Sequence, residues 1–180
     1  MKKFELTTEF ITNMFGKKLF RIKALVEFGN VKAGELGGYV EKEENVSQDG
    51  NAWVSGDARV SGDARVYGDA RVYGNARVSG NAEVSGNAWV SGNARVYGDA
   101  WVSGDADYAL VQGFGTEFRC TTFYRGKNKK IMVNCGCFHG DLEGFRKQVK
   151  ETRNGKIAKE YLMIADLMEY HFTSEDSSNE

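Results

Sequence analysis

Nine consecutive hexads of the form Asn/Asp-Ala-x-Val-Ser/Tyr-Gly run without a gap from Asn51 to Gly104. Valine recurs at every sixth position from Val54 to Val102, always two residues after an alanine. In extended backbone, residues two apart share a face, so each Ala–Val pair points one way and the residue between them points the other. Gly followed by Asn or Asp tolerates the positive φ that a tight corner needs. Each hexad therefore reads as a short strand plus a corner, and three such sides close a triangular coil of eighteen residues. Valine and alanine fill the prism, and successive coils pair their backbones at roughly 4.8 Å. A disordered Gly-rich segment is the alternative, but strict valine periodicity supplies a buried face that disordered sequence lacks. The hexads form the first block, from residue 51 to about 107; a tenth hexad, Asp105 to Leu110, decays.

These hexads resemble the hexapeptide repeat of left-handed parallel β-helix proteins. The resemblance implies a mainly β, left-handed solenoid with valine in the large inward position and alanine in the small one. It is specific for fold and uninformative about activity. The chain also resembles phage and prophage proteins, often labelled polymer-forming or cytoskeletal. They pair a segment like Leu36-Gly37-Gly38-Tyr39-Val40 with such hexads and a Cys-Gly-Cys-Phe domain, here Cys135 to Phe138.

The flanks have other periods. Residues 1–50 are expected to cap the solenoid, because open strand edges recruit other chains. Val40 and Val46 are six apart and Val54 follows eight later, which predicts one irregular coil with a two-residue insertion near Asp49-Gly50. Leu19 to Phe28 reads as a strand. Residues 108–172 read as a small α+β (ββαα) unit. Glu117 to Tyr124 and Ile131 to Cys135 form a hairpin around a basic turn. Asp141 caps a helix carrying Leu142, Phe145 and Val149, Asn154-Gly155 ends it, and a second helix buries Ile157, Tyr161, Ile164, Ala165 and Met168. Residues 173–180 are an acidic tail. The sequence holds 22 glycines and no proline, so glycine, Asn and Asp make every turn.

Folding the hexads by eighteen gives three outward columns: Trp53, Arg71, Trp89, Asp107; Arg59, Arg77, Arg95; and Arg65, Glu83, Trp101. An arginine column stacks like charges, so anions are expected beside it. They are neighbouring aspartates such as Asp57, a carboxylate-bearing partner, or a phosphorylated ligand. Solvated arginines lying along the coil are the plainer alternative. Trp53, Trp89 and Trp101 on the same surface have the composition of an interface. Self-association is expected, most simply a homo-trimer as is common for this fold; a hetero-partner or nucleotide stacking is the second reading.

Enzymes of the resembled fold use histidine: acyltransferases a histidine base, carbonic anhydrases three zinc-bound histidines. This chain has only His139 and His171, neither in a hexad, so no enzyme is expected. Cys135, Cys137 and His139 alternate, and with Cys120 on the opposing strand they make a candidate zinc set. Burial of the cysteines as small hydrophobes is the competing reading. Three cysteines, all late in the chain, do not make a disulfide framework, which favours a reducing cytoplasm. Phe4 to Phe10 is interrupted by Glu5, Thr7, Thr8 and Glu9, so no secretory core and no membrane anchor are expected. Residues 111–172 hold eleven basic and seven acidic side chains, a surplus of four, short of a nucleic-acid footprint. The function these features favour is non-catalytic binding. The partner is a host protein, such as an antiviral defence factor, or an anionic signalling nucleotide. A self-assembling scaffold is the alternative, and an acyltransferase-like enzyme the remaining one.

Overall fold

The computed structural model describes residues 1–173. Of the expected acidic tail, residues 173–180, Thr173 ends a helix and the rest lies outside the described residues. The chain divides into two compact units, Met1–Asp105 and a second beginning at Ala106.

The first unit is a β-solenoid of about four turns. Three strands precede the hexads: β1 (Phe4–Thr12), β2 (Lys18–Ala24) and β3 (Leu36–Val40). Nine two-residue strands follow, β4 (Trp53–Val54) through β12 (Trp101–Val102), one per hexad. They stack into three parallel ladders in which partners are eighteen residues apart, as in Arg59↔Arg77 and Val60↔Val78. Every hexad valine and alanine, from Ala52 to Val102, is fully buried. Backbone amides of one coil donate to carbonyls of the next, as Trp53 N–H does to Ala70 O at 3.1 Å and Arg59 N–H to Ala76 O at 2.9 Å. The corners are stacked glycines. Gly68 sits at φ 70° between Gly50 and Gly86, and a Cβ on it would come 3.2 Å from the Gly86 nitrogen.

The irregular first coil is present: Val40 stacks on Val60, Val46 bridges to Val66 and Val54 stacks on Val72. Gly50 keeps the regular corner position over Gly68. The insertion is thus Gln48-Asp49, one residue earlier than expected, and it has a structural use. The Gln48 side chain accepts from Lys3 N–H at 2.7 Å and Phe4 N–H at 3.2 Å. Its amide donates to Phe4 O at 3.2 Å. It docks the start of β1.

The cap is continuous with one solenoid face, the six-stranded sheet β1-β2-β3-β5-β8-β11. The expected strand Leu19 to Phe28 is shorter, ending at Ala24, and pairs antiparallel with β1, which the charge-interrupted run Phe4 to Phe10 did not suggest. On the other two faces side chains take the place of a missing coil. Asn45 Nδ2 donates to Gly62 O at 3.1 Å and Ala64 O at 2.8 Å. Lys3 Nζ donates to Gly50 O at 3.2 Å and Ala52 O at 2.9 Å. Unpaired ladder carbonyls would otherwise carry a desolvation cost of about 1–3 kcal/mol each.

The second unit is a four-stranded antiparallel sheet with two helices. Its strands are β13 (Tyr108–Phe114), β14 (Arg119–Arg125), β15 (Ile131–Cys135) and β16 (Phe138–Asp141), and its helices α1 (Leu142–Thr152) and α2 (Gly155–Thr173). The expected hairpin is β14–β15, in register Phe123↔Val133. The order is ββββαα, not ββαα: the decayed hexad leads into β13, and a tight turn after Cys135 creates β16. Asp141 caps α1 through Gly144 N–H at 2.9 Å. Phe123, Val133, Phe145, Val149, Tyr161 and Met168 meet in one core between sheet and helices.

Candidate functional site

The three outward columns form in the expected register. Trp53, Arg71 and Trp89 are aligned, as are Arg59, Arg77 and Arg95 and Arg65, Glu83 and Trp101. Two expected members are not part of the outward surface of that column. Trp53 is only 3% exposed, with Phe4 and Phe28 edge-on to it at 6.1 and 5.4 Å. The N-terminal arm folds over it. Its indole nitrogen is buried with no hydrogen-bond partner among the described residues. Asp107 does not continue that column. The chain has left the coil by then, and Asp107 pairs with Arg125 at 2.8 Å. Asp105 is the acid at the end of the column: its carboxylate accepts from Trp89 N–H at 3.0 Å.

Trp89 and Trp101 stay outside, 52% and 43% exposed. Tyr73 stands edge-on to Trp89 at 6.4 Å. Beside Trp89 lies a shallow cleft of about 410 Å³ that includes Asn51, Asp69, Arg71, Asn87 and Asp105. Two carboxylates against one guanidinium make it a poor place for phosphate.

The arginine column is different. At its upper end it meets Tyr39, in register with Arg59. There Glu9 accepts from Tyr39 O–H at 3.0 Å and from Arg21 at 3.1 Å. Below that, the expected aspartate counter-ions are not engaged: among the described residues no ion pair involves Arg59 or Arg77, and Asp57 pairs with neither. The corner residues bond to one another instead, Asn51 to Asp69 at 2.8 Å and Asn81 to Asp99 at 3.1 Å. Arg65 and Arg71 likewise have no ion pair among the described residues. Arg65 is relieved by Glu83 beside it in its column. Arg59 and Arg77, adjacent at the ~4.8 Å ladder spacing, have no such neighbour.

The candidate zinc set is not assembled. The chain reverses at Gly136-Cys137, so Cys135 pairs with Phe138 across a hairpin and the alternation from Cys135 to His139 is lost. Cys135 accepts from the Thr121 hydroxyl at 3.1 Å. His139 Nδ1 instead meets Asn134 Oδ1 at 2.7 Å, and Asn134 donates to the Tyr124 hydroxyl at 3.1 Å. Cys137 is exposed in the turn and Cys120 is half-buried. Among the described residues no group of three or more Cys, His, Asp or Glu is placed to hold a metal. No helix among them is long and apolar enough to cross a membrane.

Parallel ladders, a valine–alanine prism and glycine corners define a β-solenoid repeat protein. The coils are similar to the YdcK beta solenoid repeat, whose model matches six overlapping windows: residues 52–68, 58–74, 64–80, 70–86, 76–92 and 88–104. Curated proteins yield no match to the chain.

Proposed function

We propose that this is a non-catalytic binding protein whose solenoid holds an anionic partner along Arg59, Arg77 and Arg95. The observation that carries the reading is the register of Arg59 on Arg77 with no carboxylate among the described residues engaging either. Two guanidinium groups at ladder spacing repel each other until an anion bridges them, and their planar donors suit carboxylate or phosphate. The partner is a host protein presenting acidic groups, such as an antiviral defence factor, or an anionic signalling nucleotide. This is the role of a phage- or prophage-type inhibitor acting in the host cytoplasm. Exposed Trp89 and Trp101 favour assembly with further copies, in a closed oligomer such as a trimer. The solenoid carries no histidine to act as a base, which weighs against an acyltransferase.

A structural scaffold is the second reading, favoured by the same tryptophans. Native mass spectrometry of protein purified gently from its host separates the two. A closed oligomer carrying extra mass, or a co-purifying acidic protein, lost in an Arg59→Glu/Arg77→Glu variant that keeps its oligomeric state, supports the binder. Capture unchanged in that variant overturns it. Concentration-dependent open particles, disrupted by Trp89→Ser with Trp101→Ser, move the assignment to the scaffold.

A further inference from the structure

The Cys-Gly-Cys-Phe segment lies in the second unit, where its turn builds a cavity. The β15–β16 turn brings Cys135, Cys137 and Phe138 to the wall of a cavity of about 200 Å³, which Arg119, Arg153 and Tyr161 line together with the polar side chains of Gln148 and Thr152. Phe145 and Val149, both buried, form an apolar floor. Gly136 lies at φ 61°, and a Cβ there would fall 2.6 Å from Arg119 Nη1, so the turn glycine also makes room for the guanidinium. Arg119 has only a loose pairing with Glu117 at 3.8 Å, and Arg153 has no ion pair among the described residues. Burial and the neighbouring Cys135 thiol hold the Tyr161 hydroxyl above its ordinary pKa, while Arg153 and Arg119 act on it in the opposite sense. Both guanidiniums line the same cavity as this hydroxyl.

We propose that this cavity is a second binding site, independent of the solenoid, for a small organic carboxylate with a compact apolar body. Arg119 and Arg153 take the carboxylate. The Phe138 and Phe145 rings and Val149 take the apolar part, in the usual division between a few polar anchors and an apolar wall. The thiols of Cys135 and Cys137 are reporters inside the site, needing no knowledge of the natural ligand.

The test is site-resolved alkylation of the full chain by iodoacetate and by iodoacetamide, read by peptide mass spectrometry. The rate ratio of anionic to neutral reagent at Cys137 is expected to exceed that of N-acetylcysteine several-fold. It should fall to that reference in Arg119→Gln/Arg153→Gln and be retained in Arg119→Lys/Arg153→Lys. Benzoate should slow the reaction, and benzyl alcohol should not. A wild-type ratio equal to N-acetylcysteine overturns the proposal. So does a ratio unchanged in the glutamine variant, or protection by benzyl alcohol equal to that by benzoate. Inorganic phosphate protecting better than benzoate also overturns it, because the apolar body would then be irrelevant. Melting curves of the variants, whose changed residues are exposed, report folding separately.

Discussion

The ammonium of Lys3 donates to the carbonyl of Ala52 at 2.9 Å, in the place where a further coil would present the amide that Trp53 presents to Ala70. A single side chain thus closes one ladder of the solenoid and fastens the arm that covers Trp53. Lys3→Met should expose Trp53: its fluorescence should shift to the red and become accessible to acrylamide, with the coils below intact by far-UV circular dichroism. An unshifted spectrum would show that Gln48 alone holds the arm.

The same lysine makes a pH prediction. Burial pushes its pKa from 10.5 down to about 8, with Asp49 opposing the shift. The unfolded chain then binds more protons than the folded one between those values. The Lys3 contribution to stability rises with pH through that window and is lost as pH falls through about 8. The neutral amine still donates to both carbonyls. Wild type minus Lys3→Met, compared by urea unfolding at pH 7.5 and pH 10, should show that positive slope.

Arg77→Glu places an acid between Arg59 and Arg95 and copies the Arg65–Glu83 arrangement of the neighbouring column. Relief of a like-charge stack should raise stability by about 0.5 kcal/mol at low ionic strength, the scale of a cross-strand pair. The gain should shrink in 0.5 M salt, where the screening length is only a few ångströms. Thermal melts at two salt concentrations check it.

Val78 is fully buried between Val60 above and Val96 below. Val78→Ala removes two methyl groups from a prism whose ladder hydrogen bonds resist collapse. A loss of about 2 kcal/mol is expected in urea unfolding, in the range of cavity-forming changes. Asn81→Ala, at an exposed corner, should cost far less.

Asp141 caps α1. Gly144 N–H, first, and Lys130 hold its carboxyl below the ordinary range. A depressed folded pKa gives stability that is present above the unfolded value of 3.8 and is lost as pH falls through the folded one. Asp141→Ala should cost about 1 kcal/mol at neutral pH. It should also flatten the acid side of the unfolding profile of the second unit, followed by hydrogen exchange at Phe145 and Val149.

The repeat made the solenoid legible to the residue. Alternation within a hexad decides which side chain is buried, and the eighteen-residue coil decides which side chains stack, so columns such as Arg59–Arg77–Arg95 are consequences of local pattern. The helices of the second unit were legible for the same reason: Leu142, Phe145 and Val149 share a face because of helical period alone. Trp53 was misread because its burial depends on Phe4 and Phe28, residues 49 and 25 positions upstream, which no periodicity connects to it. Asp57 was expected beside the arginines, but among the described residues it bonds to neither Arg59 nor Arg77, and other corner side chains, such as Asn51 and Asp69, bond along their own stacks. The cysteine–histidine alternation does not form because a two-residue reversal at Gly136-Cys137 sends Cys135 and His139 to different neighbours. What the sequence alone determined is everything governed by spacing along one backbone direction. What tertiary structure decided is where the chain turns back: the arm over Trp53, the capping of open carbonyls by Lys3 and Asn45, and the cavity behind the Cys-Gly-Cys-Phe turn. Those depend on burial and hydrogen-bond satisfaction between distant segments, quantities that exist only once the segments meet.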